Sequence, residues 1–126
     1  MAYGFVYFLT NPSMPGLTKI GMTTKHPMER MEELSRSTAC PTPFEMLAFF
    51  DTPEPRETEY AIHNALSEYR VSADREFFDA PPYAIADQFN EWQDPWGSHY
   101  RRPLDRLVEA FLRAEAAAMD AALGRI

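Results

Sequence analysis

The stretch Val6-Tyr7-Phe8-Leu9-Thr10-Asn11-Pro12-Ser13-Met14-Pro15-Gly16-Leu17-Thr18-Lys19-Ile20-Gly21 decides the fold. Residues 3–10 (YGFVYFLT) are aromatic and β-branched, and residues 17–23 resume an extended pattern after the turn-rich segment Asn11 to Gly16. Two strand-like runs separated by Asn, Pro and Gly read as a β-hairpin with a long loop. Alternation puts Phe5 and Tyr7 on one face of the first strand and Lys19 and Gly21 on one face of the second. Pairing of the strands would bring Tyr7 and Lys19 together. A lysine beside a phenol lowers the phenol's pKa and helps it act as a base; the plainer reading is a half-buried tyrosine beside a solvated lysine.

Working outward, Pro27 suits the first turn of a helix, and Met28, Met31 and Leu34 share one face of it, giving a short amphipathic helix over residues 27–37. Residues 44–50 (FEMLAFF) form the third strand candidate, ended by Asp51-Thr52-Pro53. With Thr52 as its N-cap, a longer helix runs to Tyr69, carrying acidic residues in its first turns where the dipole favours them. The order is ββαβα. Residues 75–78 (REFF) are a last strand or turn, and Pro81-Pro82 marks the domain edge, giving a domain of residues 1–80 and a helical extension of residues 81–126. In that extension Ile85, Phe89 and Trp92 suggest a short helix and Asp94 to Ser98 a turn. Leu104, Leu107, Val108, Phe111 and Leu112 stripe a final helix over residues 103–123, which packs on the domain or makes a homodimer.

The chain has 126 residues, 45% of them hydrophobic, enough for one buried core and too many for a disordered chain despite 11 prolines. No apolar run reaches the length of a membrane span, and the first residues have no basic segment ahead of their apolar stretch, so a soluble, cytoplasmic protein is expected. One cysteine, Cys40, excludes an internal disulfide and a cysteine-type zinc site. Twelve Lys and Arg against nineteen Asp and Glu give a net charge of −7, the wrong sign for gripping a phosphate backbone by bulk electrostatics.

Several residues have the character of site groups. On the second helix Glu59 precedes Ile62, His63 and Leu66 by three, four and seven residues, so its carboxylate lies beside the apolar stripe. It either snorkels to water from the stripe's border or serves as an oxygen ligand for a divalent cation. Arg30 is the only basic residue on a helix crowded with Glu29, Glu32 and Glu33. His63 is a buried or surface histidine or a site group, and Glu76 a loop carboxylate paired with a base.

Taken in order, VYFLTNPSMPGLTKIGMTT, HPMERMEEL, ETEYAIHNALSEYRV and REFF resemble the GIY-YIG nuclease superfamily, in the phage and bacterial branch whose second signature reads Lys-Ile-Gly. Phe5-Val6-Tyr7 stands at the first signature and Lys19-Ile20-Gly21 at the second; Arg30 fits the family's arginine and Glu59 its metal-binding glutamate. Phe5 and Lys19 depart from the usual glycine and tyrosine. The resemblance spans residues 3–79 and implies an α+β fold with a central three-stranded antiparallel sheet flanked by helices.

It further implies a DNA endonuclease in which Glu59 holds one Mg²⁺ or Mn²⁺, Tyr7 is the base, Lys19 holds its phenol, and Arg30 meets the phosphate's developing charge. His63 orients Glu59 or a leaving-group water, while Lys25, Arg36 and Glu76 contribute to substrate binding. DNA binding by the chain alone is expected to be weak and salt-sensitive, given its charge. The alternative is a non-catalytic scaffold of the same fold that binds a protein or DNA partner and dimerises through its C-terminal helix.

Overall fold

β1 (Gly4–Thr10) has side chains buried on both faces, which explains why its sequence is almost continuously apolar instead of alternating. The computed structural model describes residues 3–36, 41–72, 76–94, 97–101, 113 and 115–124. β1 pairs antiparallel with β2 (Thr18–Thr23) on one side and with β3 (Glu45–Thr52) on the other. Asn11, buried in the β1–β2 connection, accepts the backbone N–H and the hydroxyl of Ser13 and donates to the Thr42 carbonyl at 2.8 Å. Gly16 completes the turn at φ 84°, a conformation that favours glycine.

The sheet has five strands, in the order β4-β2-β1-β3-β5, not the expected three. The three expected strands are its centre. β4 (Phe77–Phe78) and β5 (His99–Arg101) edge it, and at two and three residues they are too short to show an alternating pattern in sequence.

Helices cover both faces. α1 (Pro27–Ser35) starts with Pro27 at its first turn and with Met28 N–H donated to His26 Nδ1, and it lays Met31 and Leu34 over a cluster of Tyr7, Leu9, Phe44, Met46 and Phe49. On the opposite face, α2 (Pro55–Ala65) and α3 (Pro82–Trp92) pack Ile62, Ile85 and Phe89 against Val6, Phe8 and Phe50. Thr52 does not cap α2: it ends β3, its hydroxyl accepts the Glu54 N–H at 3.1 Å, and the helix begins at Pro55. Nor does one helix run to Tyr69; it stops at Leu66, and Ser67–Tyr69 form a 3-10 turn.

Packing continues past Pro81-Pro82. α3 lies beyond it and contributes Ile85, Ala86 and Phe89 to the core, and β5 joins the same sheet. Ile85, Phe89 and Trp92 do lie on one helix, at whose end Trp92 is 40% exposed. Residues 115–122 are helical and largely exposed, whereas the stripe from Leu104 to Leu112 and Cys40 lie outside the described residues. Among the described residues, no helix is long and apolar enough to cross a membrane.

Candidate active site

Among the described residues, β4 pairs with β2 through Thr18 and Lys19, and just beyond them the Ile20 N–H bonds the Glu76 carbonyl at 3.0 Å. Two side chains of α2 take over there. His63 Nε2 donates to the Ile20 carbonyl at 2.7 Å, and the Glu59 carboxylate accepts the Met22 N–H. A carbonyl only accepts, so the ring proton is on Nε2; Nδ1 then faces Glu59 Oε1 at 4.0 Å. Sheet-edge chemistry thus fixes where both residues sit, one helical turn apart on α2.

Gly21 lets this edge communicate with the other face of the sheet. It stands opposite Tyr7 in the β1–β2 ladder, and the phenol lies over it so closely that a Cβ at residue 21 would fall 2.6 Å from Tyr7 Cζ and 3.1 Å from Glu76 Oε2. The Tyr7 hydroxyl and the Glu76 carboxylate therefore share the space above one glycine. Arg30, from α1, hydrogen-bonds the Tyr7 hydroxyl and also reaches Glu33 Oε2 at 3.1 Å. Glu76 in turn holds Lys19 Nζ at 3.2 Å, and that ammonium sits 5.2 Å from the centre of the Phe77 ring.

Electrostatics follow from burial and from the two carboxylates. Burial and the Glu76 charge push the Glu59 carboxyl up to about 7, although the Met22 N–H and Lys19 pull the other way. Burial and Glu76 likewise raise the Tyr7 phenol above its ordinary value, opposed by Arg30. Burial lowers the His63 imidazole, which favours its neutral form.

A family model for the T5orf172 domain matches residues 4–96, about three quarters of the chain. The chain belongs to the T5orf172 domain family. That family is nuclease-like and DNA-binding, consistent in general with an endonuclease. No curated protein and no solved structure matches the chain. The matched span of the T5orf172 domain includes Tyr7, Lys19, Arg30, Glu59, His63 and Glu76, and it runs past Pro81 through α3.

The T5orf172 domain brings these six residues together, but not in every expected pairing. Lys19 stands opposite Leu9, two residues from Gly21, and its ammonium goes to Glu76; Arg30 is the cation on the Tyr7 hydroxyl. Burial and Glu76 outweigh that guanidinium, so the phenol is raised, not lowered. Lys25 bonds Glu33 Oε1 at 2.6 Å, beside Arg30, whereas Arg36 pairs with Glu32 at 3.7 Å and is 74% exposed. Among the described residues, no three His, Cys, Asp or Glu side chains converge as a metal cage. A groove of about 720 Å³ opens at the loop end of the hairpin, lined by Met14, Leu17, Tyr69, Pro81 and Tyr83, and none of the site residues borders it. Two contributions escaped sequence reasoning: the Met22 N–H on Glu59, and Gly21 as the floor under both Tyr7 and Glu76.

Proposed function

We propose that the chain is a GIY-YIG-type, metal-dependent DNA endonuclease acting in the cytoplasm of a bacterial or phage-infected cell. The observation that carries this reading is the meeting of the Tyr7 phenol and the Glu76 carboxylate above Gly21, with the Arg30 guanidinium on the phenol and the Glu59 carboxylate on the N–H of the next residue, Met22. A half-buried carboxyl near 7 is the perturbation expected where ionisation is tied to ligand binding.

Glu59 is the residue that would hold Mg²⁺ or Mn²⁺. One protein oxygen suffices for an ion that keeps waters and takes phosphate oxygens, which fits a site with no three-residue cage among the described residues. When bound, the ion supplies charge stabilisation at the phosphate. Arg30 directs its guanidinium to a phosphate oxygen, where bidentate contact favours the more highly charged transition state. Tyr7 takes a proton from the attacking water at its phenolic oxygen. Because burial keeps that oxygen protonated, its own proton passes to the Glu76 carboxylate, which shares the space above Gly21. Lys19 holds Glu76 in place, His63 ties α2 to the Ile20 carbonyl one helical turn from Glu59, and Lys25 lends positive charge beside Arg30.

The decisive experiment incubates supercoiled plasmid and a branched oligonucleotide with the protein in Mg²⁺, Mn²⁺ or chelator, beside Glu59→Gln. Cutting that needs metal and is lost in the variant is the expected result. A folded protein that cuts nothing under any condition would leave the scaffold reading in its place.

A further inference from the structure

One row of paired residues crosses four strands. Gly21 of β2 faces Tyr7 of β1, Tyr7 faces Phe49 of β3, and Phe49 faces Tyr100 of β5. Residues directly opposite in a ladder project on the same face, so Phe49 and Tyr100 continue outward from the phenol on its own side of the sheet. The two rings stack, with centroids 5.9 Å apart and planes at 19°. Phe5 and His26 meet the Phe49 ring edge-on, at 6.0 and 5.4 Å. Phe49 is 9% exposed and Tyr100 45% exposed, so a supported inner ring holds an open outer ring at the sheet edge.

Neither charge nor core packing accounts for that ring. The chain carries a net charge of −7, and the cations around Tyr7 are partly neutralised, Lys25 and Arg30 by Glu33 and Lys19 by Glu76. Phosphate contacts alone therefore give little affinity, whereas stacking of a base on an aromatic ring does not depend on net charge. Two strand spacings, about 10 Å, separate Tyr100 from Tyr7. A neighbouring nucleotide spans that distance.

We propose that Tyr100, seated on Phe49, is a stacking platform for an unpaired nucleobase flanking the phosphate held at Tyr7 and Arg30. The inference rests on the nuclease reading for the position of that phosphate, and it narrows the substrate to nucleic acid with an unpaired base beside the cleavage point. A duplex has no free base face to offer.

The test measures fluorescence anisotropy of a labelled single-stranded oligodeoxynucleotide with the full chain in chelator, so that cleavage plays no part. Wild type, Tyr100→Ala and Tyr100→Phe are compared, with a blunt duplex and an RNA of the same sequence as further probes. Tyr100→Ala is expected to weaken single-strand binding about 5- to 100-fold and Tyr100→Phe to keep wild-type affinity. Equal weakening on RNA supports stacking, because the bases are shared, while duplex affinity should stay unchanged. Unchanged single-strand affinity in Tyr100→Ala overturns the proposal, as does an equal loss on duplex or a wild type that binds no single strand. Should the pattern hold while the protein cuts nothing in metal, the nuclease reading fails and the base-binding surface stands.

Discussion

Tyr7 stands opposite Gly21 in the β1–β2 ladder, and its hydroxyl fills the space that a side chain at residue 21 would need. The phenol cannot swing aside, because Tyr7 is 2% exposed and packed among Leu9, Met46 and Phe49. Gly21→Ala is therefore an overpacking change, expected to cost about 1–3 kcal/mol. Less flexibility in the unfolded chain returns only about 0.4–1 kcal/mol. Thermal unfolding should show a lower midpoint, and cleavage should fall further than stability, since the displaced group is the proposed base. An unchanged midpoint with full activity would mean that the phenol does not lie over Gly21.

Tyr7→Phe removes one hydroxyl from this arrangement and leaves the ring in its cluster. The fold should survive with a small loss, while cleavage drops about 10²- to 10⁴-fold, the usual weight of a positioned acid–base group. Arg30→Ala should be as damaging to cleavage, and it also removes a group that favours the phenolate. Gel assays on both variants, beside circular dichroism, separate loss of chemistry from loss of structure. Activity surviving in both would remove Tyr7 and Arg30 from the mechanism.

The sequence and the structure agree where periodicity is long and part where contacts are short or non-local. β1, β2, β3, α1, α2 and α3 were legible because each carries an apolar run of strand length or apolar residues repeating at helical spacing. β5 was not, since His99-Tyr100-Arg101 has no pattern of its own and is a strand only because β3 offers an edge. Site residues followed a similar rule. Tyr7, Arg30 and Glu59 could be placed by motif and face, but the partner of Lys19 could not, because Glu76 lies 57 residues away and reaches it from the loop before β4. Sequence spacing suggested a Tyr7–Lys19 pair; the register offsets them by two residues and leaves the phenol to Arg30.

Among the described residues, His63 is the side chain that satisfies the Ile20 carbonyl beside the start of β4. His63→Ala strands a buried acceptor and should cost about 1–3 kcal/mol, with His63→Gln recovering part of it through its amide donor. Burial lowers the His63 pKa in the fold, so the unfolded chain binds that proton more readily. Its contribution is thus present above the ordinary histidine value and is lost as pH falls through the depressed folded value. Urea melts of wild type and His63→Gln across that range should differ in slope, with wild type losing stability faster on acidification. Parallel slopes would place the imidazole in water.

Glu59 runs the opposite way. Its folded pKa is raised from 4.5 to about 7, so between those values the folded chain holds more protons than the unfolded one. Stability from this group is complete below 4.5 and is lost as pH rises through about 7. Above that point an ionised carboxylate sits beside Glu76 in a half-buried site, at a cost of up to about 3 kcal/mol. Glu59→Gln, which stays neutral, should match wild type near pH 4 and melt higher than wild type at pH 8. Mg²⁺ or Mn²⁺ should raise the wild-type midpoint at pH 8, by neutralising the charge that burial penalises, and do much less at pH 5, where protons occupy the carboxylate. The Gln variant should not respond to the ion at either pH. If it melts below wild type at pH 8, the carboxylate is a satisfied acceptor for the Met22 N–H and not a poised ligand.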